Sequence, residues 1–195
     1  MDAAEAEEIV VATRAWLEKA VIGLNLCPFA KPIRNLIRYA VSEADTAEAL
    51  RADLVDELQT LAEADPAEIE TTLLIHPRVF ADFLDYNDFL EVADDTLEEL
   101  DLVGEIQVAS FHPRYQFAGT EPDDIENYTN RSPYPMLHLL RESSVEAAVE
   151  AHPDTAQINE KNVETMRALG HEGWRRLGLA DLSVPPKGRK RKPFP

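Results

Sequence analysis

Residues 71–77 read TTLLIHP and residues 105–113 read EIQVASFHP. Each is a short, apolar, partly β-branched run ending at a His-Pro pair, and it is too short and too continuous for an amphipathic helix. Both therefore read as buried strands stopped by proline. Between them, residues 78–102 place Val79, Phe83, Leu90, Ala93, Leu97 and Leu100 at helical spacing, and Gly104 follows as a C-terminal glycine would. Strand, helix, strand with short connections is the pattern of a parallel crossover.

Working outward, IRYAV at residues 37–41 is a further strand, and Asp45-Thr46 caps a helix to about residue 64 whose stripe is Leu50, Leu54, Leu58 and Leu61. Residues 2–24 form an amphipathic helix (Val10, Leu17, Val21, Leu24) stopped by Pro28, followed by the bend NLCPFAK. MLHLLR at 136–141 is a fourth strand of open direction, followed by helices at 145–151 and about 154–177. The expected fold is a single α/β domain over residues 1–180: a roughly four-stranded, mainly parallel sheet flanked by helices, with an α+β sandwich as the alternative. Residues 181–195, rich in proline and charge, are expected to form a disordered basic tail.

The 195 residues are 45% hydrophobic, enough for one substantial core. All 37 acids lie at or before Asp181, and five of the 19 bases lie in residues 187–192, so residues 1–182 carry −23 and the tail +5. A body this negative repels phosphate backbones and anionic bilayers, which leaves only the tail suited to nucleic acid. One cysteine excludes an internal disulfide and Cys-rich metal frameworks, and fits a reducing compartment. No apolar run approaches the roughly 18 residues of a membrane span, and no basic region precedes an apolar stretch at the start, so a cytoplasmic protein without a membrane partner is expected.

The stretches WLEKAVIGLNLCPFAK (16–31), SFHPRYQFAG (110–119) and IENYTNRSPYPMLHLLRE (125–142) resemble the bacterial family catalogued as domain of unknown function 1415. The resemblance spans about residues 9–178. It implies a bacterial, cytoplasmic setting and carries no activity, so function has to be argued from side chains.

His76 and His112 end two strands, where open α/β sheets place ligand sites. With His138 of the fourth strand they would supply three imidazoles for a divalent metal, although no H-E-x-x-H or H-x-H spacing accompanies them. The alternative is that each histidine caps a strand end through backbone hydrogen bonds. Residues 112–135 hold four prolines, four aromatics and two arginines, a long irregular connection of the kind that carries function. A short helix is expected from Pro122.

Arg114, Arg131 and Arg141 lie in or beside this segment, and guanidinium forks suit carboxylate or phosphate. Asn127, Asn130, Tyr128 and Ser132 add neutral donors. Pairing of these arginines with Glu121, Asp123, Asp124 and Glu126 is the structural alternative. Lys31, Arg34 and Arg38 form a second basic cluster. Cys27 is a candidate nucleophile, but it follows a helix C-terminus, where the dipole disfavours a thiolate, and a buried structural thiol is the simpler role.

Phosphate-loop, dinucleotide-fold and nucleophile-elbow motifs are absent, so no nucleotide cofactor is expected and the cofactor stays unknown. The expected function is a small anionic-metabolite-binding enzyme. In it Arg114, Arg131, Arg141 and Tyr128 bind substrate, His76 and His112 act as acid/base or metal ligands, and Asn130 orients the substrate, with metal-assisted hydrolysis as the first version to test. The alternative is a non-catalytic interaction protein that docks through acidic helix faces such as residues 94–101.

Overall fold

In the computed structural model of the protein, which describes residues 1–151 and 157–179, three helix starts are fixed by side-chain oxygens. Asp2 accepts from the Glu5 N–H at 2.8 Å, Thr46 from Ala49 at 3.1 Å and Asp82 from Leu84 at 3.0 Å. They open α1 (Ala3–Trp16), α3 (Ala47–Glu63) and α4 (Phe83–Glu99), with the short α2 (Ala30–Ile33) following α1. α1 continues as a π-helical stretch, Leu17–Ile22. At its end a Cβ on Gly23 would lie 2.3 Å from the Lys19 carbonyl oxygen, so only glycine fits there. α4 starts at Phe83 rather than the expected residue 78, because Phe80 sits at φ +58°, outside helical geometry, and Asp82 supplies the cap.

The strands are β1 (Ile37–Val41), β2 (Thr71–Ile75), β3 (Ile106–Phe111) and β4 (Met136–Arg141). A 3-10 turn, Ile125–Thr129, lies within the long segment in place of the helix expected from Pro122. α5 (Glu142–Ala151) begins at once after β4, three residues earlier than expected, and α6 (Ile158–Arg176) bends at Gly170. The tail expected at 181–195 lies outside the described residues, as does the expected start of α6 at Asp154. No helix among the described residues is long and apolar enough to cross a membrane.

The sheet order is β1-β2-β4-β3. β1 and β2 are parallel, whereas β4 is antiparallel to both β2 and β3, so the sheet is mixed and the mainly parallel expectation is corrected. The reason is the segment 112–135. It returns the chain to the edge at which β3 ended, so Met136 pairs with Phe111 and Arg141 with Ile106, and β4 slots between β3 and β2.

Every residue of β2 is buried, as its unbroken apolar run requires. Leu74 enters the layer of α3 and α4, where Leu50, Leu54, Leu58 and Leu61 are all at 0% exposure. Leu73 and Ile75 enter the opposite layer with Trp16, Leu17, Met166 and Trp174 of the first and last helices. Each fully buried leucine is worth about 1.5–3 kcal/mol of transfer free energy, so these two layers hold the sheet and fix its carboxyl edge.

Candidate functional site

Ile75, Met136 and Phe111 form one row across β2, β4 and β3, and the next step along the chain brings His76 and His112 out at the same edge. The backbone there is anchored by His76 N–H to the Pro135 carbonyl (3.0 Å) and His112 N–H to the Asn130 carbonyl (3.2 Å). Both histidines lie on the α4 face. The ring of Tyr86 stacks on His76 at 5.6 Å and lies 5.2 Å from His112, and its hydroxyl donates to the Met136 carbonyl at 2.8 Å. Tyr86 was not anticipated as part of this cluster, although its place three residues from both Phe83 and Phe89 puts it on the same apolar stripe.

The hydrogen bonds of His112 fix its tautomer. Nδ1 accepts from the Arg114 N–H at 2.9 Å, so Nε2 carries the proton and donates to the Phe80 carbonyl at 3.0 Å. Both nitrogens are thus committed to backbone. His76 Nδ1 lies 3.3 Å from the Val79 carbonyl, while Nε2 is buried without a partner among the described residues. Burial pushes both histidines down to about 4. The Val79 carbonyl opposes this at His76, and at His112 the Phe80 carbonyl and Asp82 oppose it while the Arg114 charge adds to it. Together the two rings hold the turn after β2 in which Phe80 takes its left-handed conformation.

His138 is elsewhere. It pairs across the sheet with Leu73 and Ala109, which puts it on the face of α1 and α6, with its ring 6.0 Å from Phe111. Burial pushes it down to about 4. The sheet therefore separates His138 from His76 and His112, and the three do not form a ligand set. Among the described residues no group of three His, Cys, Asp or Glu side chains is placed to hold a metal ion.

Most of the polar groups of the long segment are turned inward. Arg131 is 6% exposed and donates to the carbonyls of Tyr115 (3.2 Å) and Pro122 (2.5 Å), with its guanidinium 4.3 Å above the Tyr128 ring. Tyr128 is itself buried against Trp174. Asn127, at 0% exposure, accepts from the Phe117 N–H and the Thr120 hydroxyl and donates to the Glu121 carbonyl. Ser132 donates to the Tyr134 carbonyl and Asn130 reaches the Ser110 carbonyl at 3.4 Å. Glu126 pairs with Arg167 at 2.7 Å rather than with an arginine of the segment.

The remaining cations divide by place. Arg141 Nη2 approaches the carbonyls of Leu61, Ala64 and Ile69 at 2.6, 2.7 and 3.2 Å and so caps the C-terminus of α3. Arg38 is held bidentately by Glu57 at 2.7 and 2.9 Å. Lys31 and Arg34 are exposed but precede β1, at the opposite edge of the sheet. Arg114 differs from these: it is half-buried beside His112, and its guanidinium has no hydrogen bond or ion pair among the described residues. The rings of His112, Phe83, Tyr115 and Phe117 follow one another at 5.4, 5.1 and 5.0 Å.

Cys27 is half-buried in the α1/α6 layer, and burial pushes its thiol up, against the pull of the Phe29 and Ala30 N–H groups, which disfavours a thiolate. At the carboxyl end of β1 a cleft of about 430 Å³ is lined by Glu43, Asp45, Asp53, Asp56 and Glu57. Within it Asp53 accepts from the Ser42 hydroxyl.

No curated protein and no solved structure matches the chain. One family does, over residues 8–176, and it is described as a protein of unknown function (DUF1415). The chain belongs to that family.

Proposed function

We propose that the protein binds a small anionic molecule at the carboxyl edge of its sheet, between the turn after β2 and the segment 112–135, with Arg114 as the cation that receives it. One observation carries this reading: of Arg114, Arg131 and Arg141, only Arg114 keeps a guanidinium free of protein partners among the described residues. In a body carrying −23, a guanidinium that no carboxylate engages among the described residues is open to an anion from solution. His76 and His112 support the site from beneath, because their nitrogens are spent on backbone or sealed from solvent. The proposal includes no metal bound by the three histidines, because His138 lies across the sheet from His76 and His112. A reducing, cytoplasmic setting in a bacterium belongs to the proposal.

The test is a thermal-unfolding screen with benzoate, acetate, citrate, inorganic phosphate and sulfate, run on the parent and on Arg114→Gln. Stabilisation of the parent by at least one anion, lost in the variant, supports the site. Equal responses of the two proteins overturn it.

A second reading, docking of a basic partner, rests on the acidic cleft beside β1. It predicts salt-sensitive binding of a lysine-rich peptide that weakens in Asp56→Asn and Glu43→Gln and is unchanged in Arg114→Gln.

A further inference from the structure

The surroundings of Arg114 say more about the ligand than its charge alone. The guanidinium is near enough to His112 for its charge to act on the imidazole, and that imidazole opens a continuous series of rings through Phe83 and Tyr115 to Phe117. The series does not end in the core. Phe117 is 37% exposed and Leu84, which follows Phe83 in sequence, is 57% exposed, so apolar surface reaches solvent at the end of the ring series and at the start of α4, with Arg114 preceding Tyr115 in the chain.

Resting on the anion-binding reading above, we infer that the ligand is an aryl acid, a planar aromatic ring bearing one carboxylate, with the carboxylate on Arg114 and the ring against Phe83, Tyr115 and Phe117. A carboxylate matches the guanidinium fork through two parallel hydrogen bonds. The ring packs offset or edge-on against its neighbours, as the protein's own rings do at about 5 Å. Inorganic phosphate or acetate would leave that surface wet.

Charge points the same way. Arg131 is saturated by carbonyls and by Tyr128, so the site offers a single positive charge. Asp82, close enough to act on His112, adds a negative charge nearby. Arg114 can pair with one negative charge, and each further charge on a ligand would meet only the repulsion of Asp82, so a monoanion is preferred over a dianion or trianion. A nucleotide is disfavoured twice, by its charge and by the lack of a phosphate-cradling loop.

The experiment is a calorimetric titration of the full chain with 2-naphthoate, benzoate, cyclohexanecarboxylate, acetate and inorganic phosphate, repeated on Arg114→Gln and Phe117→Ser, with thermal unfolding of each variant as a check on folding. The expected order is 2-naphthoate, then benzoate, at least tenfold tighter than acetate and phosphate. Cyclohexanecarboxylate, of similar size but not flat, falls several-fold below benzoate. Arg114→Gln abolishes binding of every acid, while Phe117→Ser removes the preference for aryl acids and leaves the weak acetate affinity. Saturation transfer from bound 2-naphthoate to the Tyr115 and Phe117 ring protons gives a readout that needs no variant. If acetate or phosphate binds as tightly as 2-naphthoate, or no transfer reaches those rings, the aryl-acid inference fails while the anion site stands. If no acid binds, or Arg114→Gln binds all of them unchanged, the anion reading itself fails.

Discussion

His112 Nε2 donates to the carbonyl oxygen of Phe80 at 3.0 Å, a bond across 32 residues of sequence that ties the end of β3 to the turn after β2. The same ring accepts the Arg114 N–H through Nδ1, so one neutral imidazole ties the start of the segment 112–135 to the turn after β2. His112→Ala would strand a carbonyl and an N–H group in a site that is 1% exposed. The expected loss is about 2–6 kcal/mol in unfolding free energy, read from urea denaturation, since each buried orphan costs about 1–3 kcal/mol. His112→Gln, which can donate to one of the two loops, should recover part of it. A loss in His112→Ala below about 0.5 kcal/mol would show that the imidazole does not hold these loops.

The histidines also set a pH dependence whose sign is fixed. His76, His112 and His138 have folded-state values of about 4 against an ordinary 6.5, so the folded protein binds fewer protons than the unfolded chain between those limits. Their neutral state therefore stabilises the fold fully above pH 6.5, and that stability drains away as the pH falls toward 4. Below about 4 the histidine contribution to the slope vanishes. Each unit of separation is worth about 1.4 kcal/mol, so the two most deeply buried, His76 and His112, contribute about 3 kcal/mol each as an upper figure. Urea denaturation at pH 7, 6, 5 and 4 should show a steady fall, and His76→Phe, which removes one of the three titrating rings, should lessen that fall by about a third. A stability that is level from pH 7 to 4.5 would contradict this account.

Arg141 illustrates why the sequence predicts strands here better than sites. β1, β2 and β4 fall on the residues expected for them, because local alternation and the proline stops define each boundary. The order of the strands depends on the pairing of β4 with both β2 and β3, a non-local choice that no local pattern encodes, and so the antiparallel insertion was not visible. Arg141, Arg131 and Asn127 looked like ligand donors by residue type. Their partners are backbone carbonyls and N–H groups supplied by the folded loops, including the end of α3 more than 70 residues away from Arg141. Side-chain chemistry was legible, but the competition for it was not. The same limit hid the strained Phe80, which has no sequence mark of its left-handed conformation.

For Arg141 the consequence is measurable. Arg141→Met keeps the stem and removes the donors, uncapping the Leu61, Ala64 and Ile69 carbonyls at the end of α3. The expected loss is about 2 kcal/mol, with anion binding unchanged. A variant that keeps its stability but loses a ligand would return Arg141 to the binding site.

Cys27 should behave as a structural thiol. Burial pushes its pKa up, so at pH 7.5 its thiolate fraction lies below that of a free cysteine, and iodoacetamide should modify the native protein more slowly than the urea-unfolded chain at matched pH. Alkylation of the native protein faster than that of the unfolded chain would identify an activated nucleophile instead.

Asn127 is the pin of the long segment, and its removal should separate local from global stability. Its side chain satisfies the Phe117 N–H, the Thr120 hydroxyl and the Glu121 carbonyl from within the loop, and no element of the sheet depends on it directly. Asn127→Ala therefore frees the stretch 117–124 without dismantling either helical layer. Limited proteolysis should cleave the variant within that stretch at least tenfold faster than the parent, while the global unfolding transition shifts by no more than about 2 kcal/mol. Arg131 donates to the Tyr115 carbonyl just before this stretch and to the Pro122 carbonyl within it, so Arg131→Met should produce the same cleavage pattern. If the two variants are cut at different places, the segment is held as two independent loops rather than as one unit.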